Sequence, residues 1–345
     1  MTEFSVVIPM HDVEEYIGPC LESLVAQEGA AWEAVVVDDG STDGSVRAVR
    51  SVQAACPGRI RLVRQGNLGA YEARRAGYLR AAGARILSLD ADDELAPGAL
   101  ERVGELMDRT GADVLMFNAC VGAPGGRRFL RYPSGLVGET FAGDRRCELW
   151  AHLAGSDDLN NMSTKAFSRG LVERMPRRAF AASMRIGEDA VQATDLLCAA
   201  GSVHVCDEPL YVRRVRAGSA TSTFGLGFFD DLRALAEFLS ERFEGRVDGC
   251  DALVRRHYAA TFCRYVRQAS AAGALTRDAF ARISSDGYAR AMLAGARRLV
   301  GAADRPLLAA VESGSYARVW LAALADAGAR SALRRMAGGG RGHAR

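Results

Sequence analysis

Short apolar runs alternate with segments of helical periodicity throughout the first 117 residues, and this alternation constrains the fold more than any other feature. Apolar runs typical of buried strands occupy residues 4–9, 34–37, 60–63, 86–89 and 114–117. Segments with helical spacing of apolar residues lie between these runs. Strands and helices that alternate in this way form parallel βαβ units. We therefore predict an α/β fold with a mostly parallel sheet and helices on both of its faces.

The remainder of the chain predicts a second, helical region. Residues 122–145 are rich in Gly, Pro and Arg, which favours loops or a small hairpin. From Phe228 onward the pattern is helical nearly throughout. We expect a catalytic α/β domain at residues 1–224, an α-helical region at 225–337 and a disordered tail at 338–345.

The composition is that of a soluble globular protein without a strong affinity for polyanions. Of 345 residues, 49% are hydrophobic and 25% are charged, and the formal net charge is +2. This balance argues against nucleic acid as a partner. No apolar run approaches the ~20 residues of a membrane helix, and no secretory signal opens the chain. Eight cysteines without a Cys-x-x-Cys pair argue against a zinc knuckle, so we expect a cytoplasmic protein with reduced thiols.

Two acidic clusters follow predicted strands, where ligands of open parallel sheets bind. Solvated turn formation is a sufficient explanation for Asp38 and Asp39. It is a weaker explanation for Asp90, Asp92 and Asp93, because three carboxylates within four residues repel one another unless a cation or hydrogen-bond donors offset the repulsion. Carboxylate oxygens suit Mg²⁺ or Mn²⁺, which also bind substrate phosphates. The second cluster therefore predicts a metal-assisted phosphate site.

Several segments in the same order resemble the family-2 glycosyltransferases, which are inverting nucleotide-sugar enzymes of the Rossmann-like GT-A fold. The matching segments are 5–9, 36–43, 67–69 with 73–77, and 89–93, and the resemblance covers roughly the first 220 residues. No single segment is decisive, but their order and spacing together are highly specific. The resemblance implies a GT-A domain that binds a nucleotide-diphosphate sugar.

The resemblance also implies roles for individual residues. Asp39 would accept a hydrogen bond from the nucleobase, Asp90 and Asp92 would form the DXD motif that binds Mn²⁺ or Mg²⁺, and Asp93 competes closely for the metal. The donor-binding residues implied by the family are Pro9, His11, Asp12, Asp39, Asn67, Arg74, Asp90, Ala91 and Arg214.

One departure from the family pattern affects the nucleobase. Family members usually carry Tyr-Asn where this chain has His11 and Asp12. An imidazole can stack on a base, but it is smaller than a phenol ring, and Asp12 adds a negative charge. A UDP-sugar is favoured because uracil has an N–H for Asp39, while the identity of the base stays open.

An inverting transfer requires a base that deprotonates the acceptor hydroxyl. Family members place it in a Glu-Asp pair, which here is Glu188 and Asp189. We predict that Asp189 is the base and that Glu188 bonds the acceptor or the backbone. Both acids could instead only stabilise the start of a helix. Asp157 and Asp158 form a rival acidic pair.

Two basic positions complete the predicted site. Arg214 is expected to contact the leaving diphosphate, because guanidinium groups suit phosphate oxygens. Arg213 and Arg216 alternate with Arg214, so one of these arginines could face solvent instead. Lys165, the only lysine of the sequence, lies in a segment similar to the family's lysine-containing segment before the base. A structural role at the surface is at least as plausible for Lys165.

The predicted function is metal-dependent inverting transfer of a hexosyl or N-acetylhexosaminyl group to an acceptor hydroxyl in cell-surface polysaccharide or glycoconjugate biosynthesis. The acceptor is a sugar, a lipid-linked molecule or a small molecule. Two alternatives remain: a nucleotidyltransferase, or a non-catalytic protein of the same fold that binds sugar nucleotides. Any membrane contact is expected to be peripheral, at the inner face.

Overall fold

A mixed sheet organises the N-terminal part of the computed structural model, which describes residues 2–122, 127–128, 132–214 and 225–323. Its strands are β1 (Phe4–Met10), β2 (Trp32–Asp38), β3 (Ile60–Arg64), β4 (Arg85–Ser88), β5 (Glu94–Leu95), β6 (Val114–Val121), β7 (Arg127–Arg128), β8 (Thr140–Ala142), β9 (Lys165–Ser168) and β10 (Ser202–Arg213). Their order is β3-β2-β1-β4-β9-β6-β10-β5, with β7 beside β6 and β8 beside β10.

The five apolar runs predicted as strands are confirmed as β1, β2, β3, β4 and β6. Parallel pairing joins β1 to β2 and β4, β2 to β3, and β6 to β10. The sequence did not predict β9, which runs antiparallel between β4 and β6. Because β9 is reversed, its first residues lie at the edge where the parallel strands end.

The α-helices in the described part of residues 2–214 are α1 (Glu14–Val25), α2 (Ser45–Ala55), α3 (Ala70–Tyr78), α4 (Ala99–Thr110), α5 (Cys147–Gly155), α6 (Ala179–Ala182) and α7 (Glu188–Ala199). Helix α3 ends at Tyr78. Gly98, with a φ of 70°, is the N-cap residue of α4.

Helices pack on both faces of β1, as predicted. On one face, Val6 and Ile8 join a buried cluster that includes Ile17 and Leu21 of α1. On the other face, α3 approaches so closely that a Cβ at Gly77 would lie 2.2 Å from Val7 Cγ1. A glycine is therefore required where α3 crosses the strand. This close approach fixes the start of α3 near the carboxyl end of β1.

The chain divides into two units, one formed by Met1–Leu153 with Asp157–Arg216, the other by Ala154–Ser156 with Ala217–Arg345. The second contains α8 (Phe228–Phe243), α9 (Cys250–Ala271), α10 (Arg277–Ser285), α11 (Gly287–Leu293) and α12 (Arg305–Glu312), and residues 316–323 are helical. The domain limits 1–224 and 225–337 stay predictions, and the tail expected at 338–345 lies outside the described residues. Among the described residues, no helix combines the length and apolar character needed to cross a membrane.

Candidate active site

The loop after β1 is bound to the loop after β2 by hydrogen bonds. Asp12 has a positive φ of 46°, which is uncommon for a residue other than glycine. Its Oδ1 accepts hydrogen bonds from Thr42 N at 2.7 Å and Asp43 N at 3.3 Å. His11 Nδ1 lies 3.0 Å from the Asp39 carbonyl oxygen, and the imidazole stays exposed. The His11 imidazole therefore remains accessible for the predicted contact with the donor. The Asp12 carboxylate is turned toward the loop after β2, which it bonds.

The two carboxylates after β2 are both occupied by local donors. Asp38 is fully buried and accepts from Ser41 N and Arg64 Nε, each at 2.9 Å. Burial acts to raise the pKa of Asp38, but these bonds outweigh burial and leave the pKa below its usual value. Asp39 accepts from Gln65 Nε2, Leu68 N and Gly69 N, all at 2.8 Å.

Asp39 therefore has a structural role that the sequence did not predict, because its hydrogen bonds fix the loop that leads into α3. An ionised carboxylate offers about four acceptor positions, so three donors leave room for one more. Its contact with a nucleobase stays a prediction. Asn67 is exposed in the same loop and Pro9 is partly exposed at the end of β1, so both are accessible to a donor.

The acidic cluster after β4 is divided between the interior and the open edge. Asp93 is 6% exposed and accepts from Tyr211 Oη and Arg214 N, each at 2.8 Å. Burial, with repulsion from Asp90 and Asp92, raises the pKa of Asp93 to about 7. The side chain of Asp90 is 30% exposed, and that of Asp92 is partly exposed. Asp90 and Asp92 are thus better placed for a metal than Asp93, the predicted competitor.

Two other residues of this turn have structural contacts. Ala91 is 5% exposed and belongs to the hydrophobic core, and its contact with a donor stays a prediction. Tyr211, which the sequence did not single out, accepts a hydrogen bond from Asp90 N at 3.2 Å through the hydroxyl that donates to Asp93. Tyr211 therefore fixes the whole turn. The only sequence feature that could have indicated Tyr211 is its place in the apolar segment after Pro209.

Arg74 joins the acidic turn to the predicted base pair. Its side chain is 6% exposed. Nη2 lies 3.5 Å from Asp90 Oδ1, Nη1 lies 3.5 Å from Glu188 Oε1, and Nη1 is in close contact with Asp189 Oδ1. Burial acts to lower the pKa of Arg74, yet the three carboxylates raise it above its ordinary value. Arg74 thus forms ion pairs that hold three carboxylates together, and its contact with the donor stays a prediction.

Glu188 and Asp189 begin α7, directly after Gly187 with its φ of 86°. Burial and the neighbouring Asp189 raise the pKa of Glu188 to about 7. Burial also raises the pKa of Asp189, against the opposing attraction of Arg74. The Asp189 side chain is 31% exposed, twice the 16% of Glu188, so Asp189 is the more accessible of the two. In the rival pair, Asp157 accepts a hydrogen bond from Asn160 Nδ2 at 3.2 Å.

The surroundings of the two basic residues Arg214 and Lys165 differ most from those that the sequence predicted. The Arg214 guanidinium is in close contact with Glu94, so its predicted contact with a diphosphate would have to compete with an ion pair. Arg213 lowers the pKa of Asp189 by its charge. Lys165 is 0% exposed, so the suggested surface role is wrong, and its Nζ donates to the Asn161 carbonyl oxygen.

Comparison with known proteins assigns the family of this chain. The model of glycosyl transferase family 2 matches residues 5–154. The succinoglycan biosynthesis protein ExoO of Rhizobium meliloti is 30% identical over 240 residues, which cover 69% of this chain and 68% of ExoO. The chain belongs to glycosyl transferase family 2. Several curated relatives in this family match over shorter stretches, and the chain spans about a third of their length.

Solved structures confirm the predicted GT-A fold. Residues 1–349 of TarS from S. aureus, crystallised with UDP-GlcNAc, superpose with a TM-score of 0.63 at 18% identity, covering 93% of this chain and 90% of that one. The mannosyltransferase PcManGT of Pyrobaculum calidifontis, solved with GDP-Man and Mn²⁺, gives a TM-score of 0.55 at 18% identity, with 94% and 86% coverage. At such identities the likeness concerns the fold alone.

Proposed function

We propose that this family-2 member is a metal-dependent inverting glycosyltransferase that moves a sugar from a nucleotide-diphosphate sugar to an acceptor hydroxyl. The observation that carries this proposal is the Arg74 cluster, which brings Asp90 of the acidic turn together with Glu188 and Asp189. A metal-binding carboxylate and a partly exposed base are thereby held at one edge of the sheet. Such edges are where α/β sheets bind ligands.

Asp90 and Asp92 would hold Mn²⁺ or Mg²⁺. Their partly exposed oxygens are ligands that these hard cations prefer, and the repulsion within the turn favours a cation. Within the described residues, no group of three or more His, Cys, Asp or Glu side chains could hold a metal by itself. When bound, the metal supplies positive charge to the leaving diphosphate.

Asp189 would accept the proton of the acceptor hydroxyl as the hydroxyl oxygen bonds to the anomeric carbon and the bond from that carbon to the diphosphate oxygen breaks. A base works best when its pKa is close to the working pH, and burial raises the pKa of Asp189. Arg74 keeps the carboxylate oriented. Glu188, which is less exposed, would bind the acceptor or restrain Asp189.

We further propose a UDP-sugar donor and a hexosyl or N-acetylhexosaminyl group. The remaining acceptor position of Asp39 supports uracil, whose ring N3 carries a hydrogen, over cytosine, whose ring N3 does not. TarS was solved with UDP-GlcNAc and PcManGT with GDP-Man, so the fold accommodates either base. The name of ExoO supports polysaccharide biosynthesis as the setting. We place the reaction in the cytoplasm, with at most peripheral contact with the inner membrane face.

The experiment is a calorimetric panel of UDP-, GDP-, CDP- and dTDP-sugars with and without Mn²⁺, followed by turnover of each ligand that binds. We expect a UDP-sugar to bind more tightly with Mn²⁺ and to be hydrolysed slowly without an acceptor. Tight binding without any turnover would support the non-catalytic alternative. Pyrophosphate release from a nucleoside triphosphate and a sugar phosphate would support a nucleotidyltransferase.

A further inference from the structure

The only lysine of this chain is one of its most deeply buried side chains. Every other one of the 44 basic residues is arginine. Lys165 is 0% exposed, and its Nζ donates to the carbonyl oxygen of Asn161. Lysine is almost never fully buried without a partner for its charge. Its position therefore has to be explained by what surrounds it.

Within the sheet, Lys165 lies on the face that packs against α3, near the end of that helix that reaches the active site. It is the first residue of β9, opposite Met116 of β6 and beside the strand that leads to Asp90. Side chains two residues apart share a face of a strand, so Lys165 points the same way as Phe167. Phe167 packs edge-on against Tyr78 of α3, with ring centroids 5.3 Å apart. Arg74 lies one turn before Tyr78, toward the site.

The charges that face Asp189 come from five elements. They are Arg74 of α3, Asp90 after β4, Lys165 of β9, Glu188 of α7 and Arg213 of β10. Arg74 is shared among three carboxylates, so its charge does not neutralise them. Lys165 supplies further positive charge from the buried side of the site. Its attraction lowers the pKa of Asp189, which burial otherwise raises.

We propose that Lys165 is a positioning residue for the transfer reaction, acting through its charge on Asp189 to keep that carboxylate ionised and ready to accept the acceptor proton. This inference rests on the proposed function, in which Asp189 is the base. The side chain needs no contact with the substrate, because charge acts over several ångströms in a buried, poorly screened site.

A lysine suits this position better than the arginine used elsewhere. Its ammonium group is compact, whereas a guanidinium is broad, planar and always charged. Burial lowers the pKa of Lys165 to about 7, and the Asp189 charge opposes that decrease. Each of the two groups therefore favours the charged form of the other, so removing one charge should change the titration of its partner.

The unique lysine makes this interaction measurable without substrate. Protein labelled with [ε-¹³C]lysine gives one NMR signal, whose shift reports the protonation of Lys165. We expect it to titrate far below the ordinary value of about 10.4. In Asp189→Asn the midpoint should fall by about one further pH unit, while the matched control Asp157→Asn should leave it unchanged. An ordinary midpoint in the wild type, or equal midpoints in wild type and Asp189→Asn, would overturn the proposal.

Turnover provides the second test, with the UDP-, GDP- or dTDP-sugar that the panel shows to be hydrolysed fastest. Lys165→Met should move the acidic limb of the kcat/KM profile upward by about one pH unit. Ser168→Ala, at the other end of β9, should leave the profile unchanged. A Lys165→Met profile that superposes on the wild type refutes the role of Lys165. Loss of the proposed function itself would instead show as full activity in Asp189→Asn, whatever the NMR titration gives.

Discussion

The loops after β2 and after β4 are both acidic and end at the same edge of the sheet, yet their carboxylates have different partners. Asp38 accepts a hydrogen bond from Ser41 N in the same loop, and Asp39 accepts one from Gln65 Nε2 in the loop after β3. Asp90 meets Arg74 of α3, and through it the start of α7. The first loop is therefore closed by local bonds, whereas the second leaves carboxylate oxygens partly exposed. Acidic residues at a strand end indicate a reactive site only where local donors do not already occupy them.

Metal removal should have the largest effect and should separate the two loops. EDTA is expected to abolish turnover, and Mn²⁺ or Mg²⁺ should restore it, because Asp90 and Asp92 of the β4 loop keep partly exposed oxygens for a cation. Asp92→Asn should weaken donor binding in calorimetry with Mn²⁺. Asp38→Asn is the control and should keep its dependence on metal. Full activity of the wild type in EDTA would contradict the metal assignment.

Replacing the proposed base should lower turnover strongly while leaving the donor bound. We expect Asp189→Asn to reduce kcat at least ~10²-fold, the low end for general acid–base catalysis. Donor affinity, measured by calorimetry, should change little because the base faces the acceptor. If Glu188→Gln is the inactive variant and Asp189→Asn remains active, the roles of the two acids are reversed.

Replacing Arg74 tests whether the loop after β4 depends on contacts with residues that are distant in sequence. Arg74→Met leaves three carboxylates facing one another, and losing one member of a buried ion pair costs about 3 kcal/mol or more. Urea unfolding should show this loss of unfolding free energy. Arg75→Met, one position further along α3, is the matched control and should change stability far less. Equal stabilities for the two variants would contradict the bridging role of Arg74.

The pH dependence of stability should also come from the second loop and its partners. Asp93 and Glu188 each have a pKa near 7, above the ordinary values of 3.8 and 4.5. The folded protein therefore holds protons that the unfolded chain releases, and stability falls as pH rises from about 4.5 to 7. His204 and Lys165 oppose this trend, because burial lowers the pKa of each.

Thermal unfolding in EDTA should show a Tm several degrees lower at pH 7.5 than at pH 5.5, since 1 kcal/mol corresponds to about 2–4 °C in a domain of this size. His204→Gln should widen that difference. Asp38→Asn should not alter it, because Asp38 has a lowered pKa and stays ionised in both states over this range. A Tm that rises with pH in His204→Gln would contradict the assigned protonation of Asp93 and Glu188.

The smallest effect concerns the nucleobase. If Asp39 has an acceptor position left for uracil, UDP should bind a few-fold more tightly than CDP, since a typical hydrogen bond contributes a net of about 0.5–1.5 kcal/mol. Asp39→Asn should reduce that preference, although the variant also weakens the loop around Gly69. Competition calorimetry with the two nucleotides measures this. Equal affinities in the wild type would remove the base-binding role of Asp39.

Local spacing was enough to locate five strands of the sheet and the two acidic clusters, whereas the Glu188–Asp189 pair was identified through the resemblance to the family. Apolar periodicity depends on which residues face the core, and this is decided over a few neighbouring positions. The same reasoning could not predict β9, because a short strand between two others is recognised only by its pairing partners.

The partners of the charged side chains were determined by the folded chain alone. Arg74 meets Glu188 across 114 positions of sequence, and Asp93 meets Tyr211 across 118. Lys165 is buried because β9 is inserted at the centre of the sheet, and no pattern in residues 161–167 reveals that placement. Residue types along the chain thus indicate which chemistry is available. Whether a carboxylate is bonded, bridged or free depends on which distant strands and helices the sheet order brings beside it.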